Sequence, residues 1–105
     1  MTNTLQAEPY ALEFDPRHTA LLIIDMQRDF VEPGGFGESL GNDVSLLRSA
    51  IAPTRKLLDL AREKGIAVIH TREGHAPDLA DLPPTKAARG KLKAGIGAPG
   101  PMGRI

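Results

Sequence analysis

The sequence of 105 residues contains no cysteine, which excludes disulfides and thiolate metal sites within it. Thirteen basic and thirteen acidic residues leave no net charge, so no long-range field favours nucleic acid or an anionic membrane surface. The longest apolar run is far shorter than the ~18 residues needed to span a bilayer. We therefore expect no nucleic-acid partner and no membrane partner.

Targeting and nucleotide-binding patterns are also missing. No basic segment followed by an apolar run opens the sequence, so a cytoplasmic location is the default expectation. The run Gly34-Gly35-Phe36-Gly37 lacks the third glycine of a dinucleotide fingerprint, since Leu40 stands at that position. No Gly-Lys-Ser/Thr sequence follows a strand. We expect no cofactor.

What is present predicts an α/β fold. The apolar run of residues 21–24 predicts a strand over 18–25 that is buried on both faces, and residues 66–69 predict a second strand. Between them lies a helical pattern from about 44 to 64. It is divided before Pro53, which belongs in the first turn of a helix, and Gly65 suits the C-terminal cap. This strand–helix–strand order predicts the beginning of a doubly wound parallel sheet.

The flanking segments differ in character. Residues 1–16 are interrupted by Pro9 and Pro16 and are predicted to be an irregular N-terminal arm. Residues 32–37 are predicted to be a loop. After Gly74 the chain is rich in glycine and proline, with one weak helical patch near 85–93. We expect residues 17–105 to form the first half of a domain and the sequence to stop in the middle of a fold.

Asp25 is the leading candidate site residue because it follows the first strand, where open α/β sheets bind ligands. It could be a general base or an electrostatic anchor. Equally, it could be a structural carboxylate that bonds backbone amides. Asp29 could be a solvated loop charge or, equally, a functional residue, and Gln27 could carry hydrogen bonds that shape the loop.

A second group follows the second strand. His70, Glu73 and His75 could ligate a first-row metal ion. Their spacing is not specific to a metal, so we favour a hydrogen-bonded loop at a pocket mouth and predict no metal site. A small group of basic side chains is interpreted as a solvated face because few aromatics accompany it; it consists of Lys86, Arg89, Lys91 and Lys93.

Together these residues resemble the isochorismatase-like cysteine hydrolases. The string Leu-Leu-Ile-Ile-Asp-Met-Gln-Arg-Asp-Phe of residues 21–30 is similar to that family's first-strand motif. Residues 70–75, residues 77–83 and the glycine- and proline-rich run to 105 more narrowly resemble the ureide-cleaving branch, which includes hydrolases of biuret, triuret and ureidoacrylate. The resemblance covers nearly the whole chain but only about the first half of a family domain.

The resemblance implies a mechanism. An Asp, a Lys and a Cys act together, and the cysteine attacks an amide or ureide carbonyl to give a thioester that water hydrolyses. Asp25 matches the family's acid/base, and Phe30 matches a residue that lines the substrate pocket. The matching Lys and Cys lie in later segments and have no counterpart here. The resemblance thus implies a small-molecule ureide or amide substrate, a homo-oligomer, and a chain that is inactive until the rest of the domain is supplied.

Two alternatives belong to other functional classes. The chain could be a truncated α/β domain that binds a ligand or partner without chemistry. It could also be a receiver-like module with Asp25 as phosphoacceptor, but a receiver's lysine on a late strand is missing from this sequence.

Overall fold

The structure, a computed structural model, describes residues 1–90 and divides into two compact units. The first unit comprises residues 1–24 and 52–71. The described part of the second comprises residues 25–51 and 72–90. None of the helices found in residues 1–90 has the combination of length and apolar character that crossing a membrane requires.

The first unit contains a parallel strand pair, β3 (Ala20–Ile23) and β4 (Ala67–His70). Strands β1 (Asn3–Leu5) and β2 (Leu12–Phe14) precede this pair. The α/β class is therefore confirmed. The first strand begins later than the predicted span 18–25 because residues Pro16–His18 form a 3-10 turn. Asp15 caps that turn by accepting a hydrogen bond from the Arg17 N–H at 2.9 Å.

The predicted irregular structure of residues 1–16 is wrong, because β1 and β2 pair as an antiparallel hairpin. Two strands of three residues are too short to be stable alone. Their apolar side chains Leu5 and Phe14, together with Leu21, line a cavity of about 300 Å³. Its other apolar lining residues include Leu57 and Leu60. The register pairs Asn3 with Phe14 and Leu5 with Leu12, and the local sequence does not reveal this pairing between strands.

Helix α4 (Ile51–Glu63) has the predicted boundaries, with Pro53 in its first turn. It ends at Gly65, whose φ of 68° is left-handed. The Gly65 N–H donates to the Arg62 carbonyl at 3.3 Å and the Ile66 N–H donates to the Ala61 carbonyl at 2.8 Å. This pair of bonds is a Schellman motif and satisfies carbonyls that the helix leaves free.

The prediction that the first strand is buried on both faces is wrong for the described residues. Ile23 is only 7% exposed, whereas Leu22 is 52% and Ile69 is 50% exposed. Side chains alternate between the two faces of a strand, and Leu22 pairs in register with Ile69. One face of the strand pair therefore contributes to the core, and the other face lies open within residues 1–90.

The second unit is built from short helices. They are α1 (Arg28–Val31), α2 (Phe36–Ser39), α3 (Val44–Arg48) and α5 (Pro84–Gly90). Helix α3 confirms the predicted short helical piece before α4. Helix α2 corrects the predicted loop over 32–37, since it begins inside that span. Helix α5 coincides with the helical patch predicted near 85–93, of which residues 91–93 lie outside the described residues.

Candidate functional site

The two parallel strands end at the same edge of the sheet, as predicted. Ile23, the last residue of β3, pairs with His70, the last residue of β4. The ladder continues for one more bond, in which the Thr71 N–H donates to the Ile23 carbonyl at 3.0 Å. This is the carboxyl edge, where open α/β sheets bind ligands. Asp25 follows β3 by two residues in the chain.

Asp25 has an unusual backbone. Its φ is 50°, in the left-handed region that side chains other than glycine rarely adopt. This conformation costs roughly 1–2 kcal/mol, less for aspartate than for bulkier residues, because its short polar side chain can bond locally. Strained residues of this kind cluster at active sites and ligand clamps. The half-buried Asp25 therefore remains the leading candidate for a reacting carboxylate.

Gln27 performs the loop-shaping task predicted for it. Its side-chain Nε2 donates to the Glu73 carbonyl at 2.9 Å, and its Oε1 accepts the Glu73 N–H at 2.6 Å. The primary amide thus pairs with both backbone groups of one residue, as a neighbouring strand would. We call these two bonds the Gln27 clamp. They connect the segment after Asp25 to the segment that begins at Arg72, and both segments belong to the second unit.

Lys86 lies against the side chain of Glu73 and against His75. Its ammonium forms an ion pair with Glu73 Oε1 and approaches His75 Nε2 at 2.7 Å. The Lys86 side chain is only 20% exposed. The interpretation of Lys86 as part of a solvated basic face is therefore wrong. The Arg89 side chain, Lys91 and Lys93 lie outside the part that the structure describes.

His75 is enclosed by charged groups of the same loop. Its side chain is 6% exposed, and Nδ1 lies 3.4 Å from Asp81 Oδ1 without a good hydrogen bond. Asp81 accepts the Ala76 N–H at 3.0 Å. That backbone bond is the main reason why the pKa of Asp81 lies below its ordinary value, and His75 adds a smaller effect.

Of the predicted group, Glu73 and His75 belong to the second unit, where they approach each other at 3.7 Å. His70 is exposed and ends β4 in the first unit. Among residues 1–90, no three or more histidine or acidic side chains converge in an arrangement that could hold a metal ion. The cation that contacts both Glu73 and His75 is the ammonium of Lys86.

Asp29 is a structural residue that sequence reasoning misjudged. It is 6% exposed, and its Oδ1 accepts the Phe36 N–H at 2.9 Å. Of the two alternatives left open for Asp29, the solvated loop charge is wrong, because the buried carboxylate satisfies a free amide at the start of α2. Asp29 and Phe36 are seven residues apart in the sequence. No local rule relates a carboxylate to an amide at that spacing, so the sequence carried no signal for this bond.

Phe30 lies in α1 and is half-buried. A Cβ placed on Gly37 would collide with the Phe30 backbone carbonyl, so α1 and α2 pack closely at this point. The predicted contact of the Phe30 ring with substrate stays a prediction.

A comparison with protein-family models gives an independent result. The Isochorismatase domain model matches residues 19–103. This span begins before β3, includes Asp25 and the Gln27 clamp, and continues past α5. Members of this family are hydrolases. Because the match covers more than half of the sequence, the chain belongs to the isochorismatase family.

Proposed function

We propose that this chain supplies Asp25 as the acid/base of a cysteine hydrolase that cleaves a carbon–nitrogen bond of a ureide such as biuret or triuret. The observation that supports this most is the left-handed backbone of Asp25, two residues after a parallel strand, in a chain of the isochorismatase family. The ureide class is suggested by the resemblance of residues 70–83 to the ureide-cleaving branch.

In the proposed reaction Asp25 takes the proton of a cysteine thiol, and the thiolate sulfur attacks the substrate carbonyl carbon. The carbon–nitrogen bond then breaks while Asp25 returns the proton to the leaving nitrogen. Water adds to the resulting thioester as Asp25 takes a proton from it, and the carbon–sulfur bond then breaks while Asp25 returns that proton to the sulfur, which restores the thiol. The net reaction consumes one water and releases one ammonia or amine.

A carboxylate is a weak base for a thiol, since unperturbed carboxyl groups have a pKa of about 4 and thiols of about 8.5. A neighbouring cation must close that difference. In the proposed mechanism a lysine provides it. Neither the matching lysine nor any cysteine is present in the 105 residues, so both groups come from residues outside this sequence. Phe30 is proposed as an apolar wall of the substrate pocket.

The same proposal includes a homo-oligomeric, cytoplasmic enzyme and a chain that is inactive without the remaining catalytic groups. The first test is the intact mass of the protein from its natural source, with its peptides sequenced. A longer protein with a cysteine peptide is then assayed for ammonia release from biuret and triuret.

The deciding variant is Asp25→Asn in that active protein. We expect loss of turnover by at least about a hundredfold, the lower range for a general acid/base. Asp59→Asn on α4 is the matched control, since within residues 1–90 the exposed Asp59 forms an i,i+4 ion pair with the exposed Arg55. Near-normal turnover by Asp25→Asn would show that Asp25 does not have this role.

One observation favours a second function, the binding of a ligand or partner without chemistry: the 105 residues contain no nucleophilic cysteine. Calorimetry with biuret and triuret separates the two. Binding without ammonia release, in a natural protein that matches the mass of these 105 residues, would support the non-catalytic function.

A further inference from the structure

A series of polar contacts in the second unit leads from α5 to the segment that follows Asp25. The Lys86 ammonium contacts the Glu73 carboxylate, and the backbone of Glu73 is held by the Gln27 clamp. We propose that Lys86 is a positioning residue for Asp25: it fixes Glu73, and Glu73 in turn holds the segment in which Asp25 adopts its left-handed backbone. The catalytic role of Asp25 rests on the proposed function, whereas the contacts that position Asp25 do not.

The Gln27 clamp is suited to this task because both of its bonds are made to the backbone. A side-chain amide has one carbonyl and one NH2 group, and Glu73 presents one N–H and one carbonyl to them. Both bonds are partly buried, so breaking them leaves polar groups without full hydration. Since Asp25 is only two residues before Gln27, the clamp limits the backbone freedom of Asp25.

Lys86 is suited to hold Glu73 because its ammonium also contacts His75 Nε2, which restricts the position of the Lys86 side chain. An ammonium has only donors, so His75 Nε2 must accept its hydrogen bond. The neutral imidazole therefore carries its proton on Nδ1, which faces Asp81 Oδ1 at 3.4 Å. The ring is almost fully buried and thus a fixed neighbour for Lys86. If Lys86 is removed, the Glu73 carboxylate loses its counter-charge and is driven towards solvent.

The test compares Lys86→Met with Lys64→Met by NMR on the isotope-labelled protein. Lys64 is a matched control because it also pairs with a neighbouring glutamate, but on an exposed surface. For Lys86→Met we expect the Glu73 amide to exchange about tenfold faster or more, as expected for a local opening. The side-chain NH2 signals of Gln27 should move towards those of the exposed Gln6, and the backbone coupling of Asp25 should change.

Lys86→Arg keeps the charge and the donors, so it should restore the Glu73 protection and the Gln27 signals at least in part. A general loss of stability would not show that pattern of rescue. Lys64→Met should leave all three signals unchanged. Unchanged Glu73 exchange and unchanged Gln27 signals in folded Lys86→Met would overturn the proposal.

A measurement on the unsubstituted protein covers the case in which Lys86→Met does not fold. The ring nitrogen shifts of His75 report which nitrogen carries the proton. A proton on Nδ1 supports the contact with Lys86, whereas a proton on Nε2 in the neutral ring excludes it and overturns the proposal. None of these measurements depends on turnover, so failure of the proposed hydrolase activity would be recognised separately.

Discussion

The Asp29 carboxylate accepts a hydrogen bond from the backbone N–H of Phe36 at 2.9 Å, and only 6% of Asp29 is exposed. Phe36 is the first residue of α2, where an amide has no partner within the helix. This bond fastens α2 to α1, which carries both Asp29 and Phe30. The short helices of the second unit are therefore stabilised by a contact between them as well as by their own backbone bonds.

Asp29→Ala should lower the free energy of unfolding by about 1–2 kcal/mol, because the Phe36 N–H loses its acceptor in a part-buried place. Asp29→Asn retains an oxygen acceptor and should lose less. Urea denaturation measures both values. Asp59→Ala removes an exposed carboxylate and serves as the control, with an expected change of no more than about 0.5 kcal/mol. If Asp29→Ala also stayed within that range, the Asp29–Phe36 bond would have no structural importance.

Gly35→Ala and Gly37→Ala should both destabilise the protein by steric collision. A Cβ on Gly35 would lie 2.5 Å from the Asp29 carbonyl oxygen, and one on Gly37 would contact the Phe30 carbonyl oxygen. Both obstacles are backbone atoms, so relief requires separation of α1 from α2. We expect losses of about 1–3 kcal/mol, the usual cost of overpacking, measured by denaturant unfolding.

Gly65→Ala is the comparison for those two variants. No atom of the described residues lies within 4 Å of a Cβ at Gly65, and the φ of Gly65 is 68°, so the expected cost of about 1 kcal/mol is conformational. Gly65→Asn should recover part of that loss, because asparagine tolerates the left-handed region. Replacement of Gly35 by asparagine should recover nothing. Equal recovery at both positions would contradict the steric explanation.

Asp25→Gly should be more stable than Asp25→Ala by roughly 1–2 kcal/mol. Both variants lack the carboxylate, so their difference isolates the cost of the left-handed backbone at this position. Thermal unfolding monitored by circular dichroism measures it. Two equally stable variants would mean that residue 25 leaves the left-handed region once its carboxylate is removed.

Asp43 should contribute to acid sensitivity. The pKa of Asp43 lies below its ordinary value of 3.8, first because the Ser45 hydroxyl donates to it and second because the Ser45 N–H does. Since the folded-state pKa is the lower one, this stabilisation is complete well above pH 3.8 and is lost as the pH falls through the folded-state value.

A carboxyl-carbon NMR titration should place the Asp43 midpoint below 3.8. Asp43→Asn should reduce the decrease of the thermal midpoint on acidification, because asparagine does not titrate. Ser45→Ala should raise the Asp43 midpoint, since it removes the hydroxyl donor. A midpoint that does not respond to Ser45→Ala would contradict the assigned cause.

Local rules were sufficient for the longest elements. The apolar run of residues 21–24 and the helix ended by Gly65 have patterns whose causes lie within a few residues, namely side-chain periodicity, proline geometry and the left-handed cap. The strand order followed from these elements, as did the common edge at which Ile23 and His70 end.

The errors share one physical cause, which is that strand pairing and burial depend on residues outside the local pattern. The hairpin pairs Asn3 with Phe14, and Lys86 is sheltered by Glu73, thirteen residues earlier. Leu22 was expected to be covered but is exposed in residues 1–90, because the second face of the strand pair has no helix over it there.

The sequence by itself determined the α/β class, the family, the position of Asp25 after a strand and the absence of a cysteine nucleophile from these residues. These properties depend on residue identity and short-range periodicity. Only the tertiary structure decided that Asp29 is buried, that Gln27 clamps Glu73 and that Lys86 forms an ion pair inside the loop. Hydrogen bonds and charge pairs between segments depend on how the chain brings them together, and no local pattern specifies that.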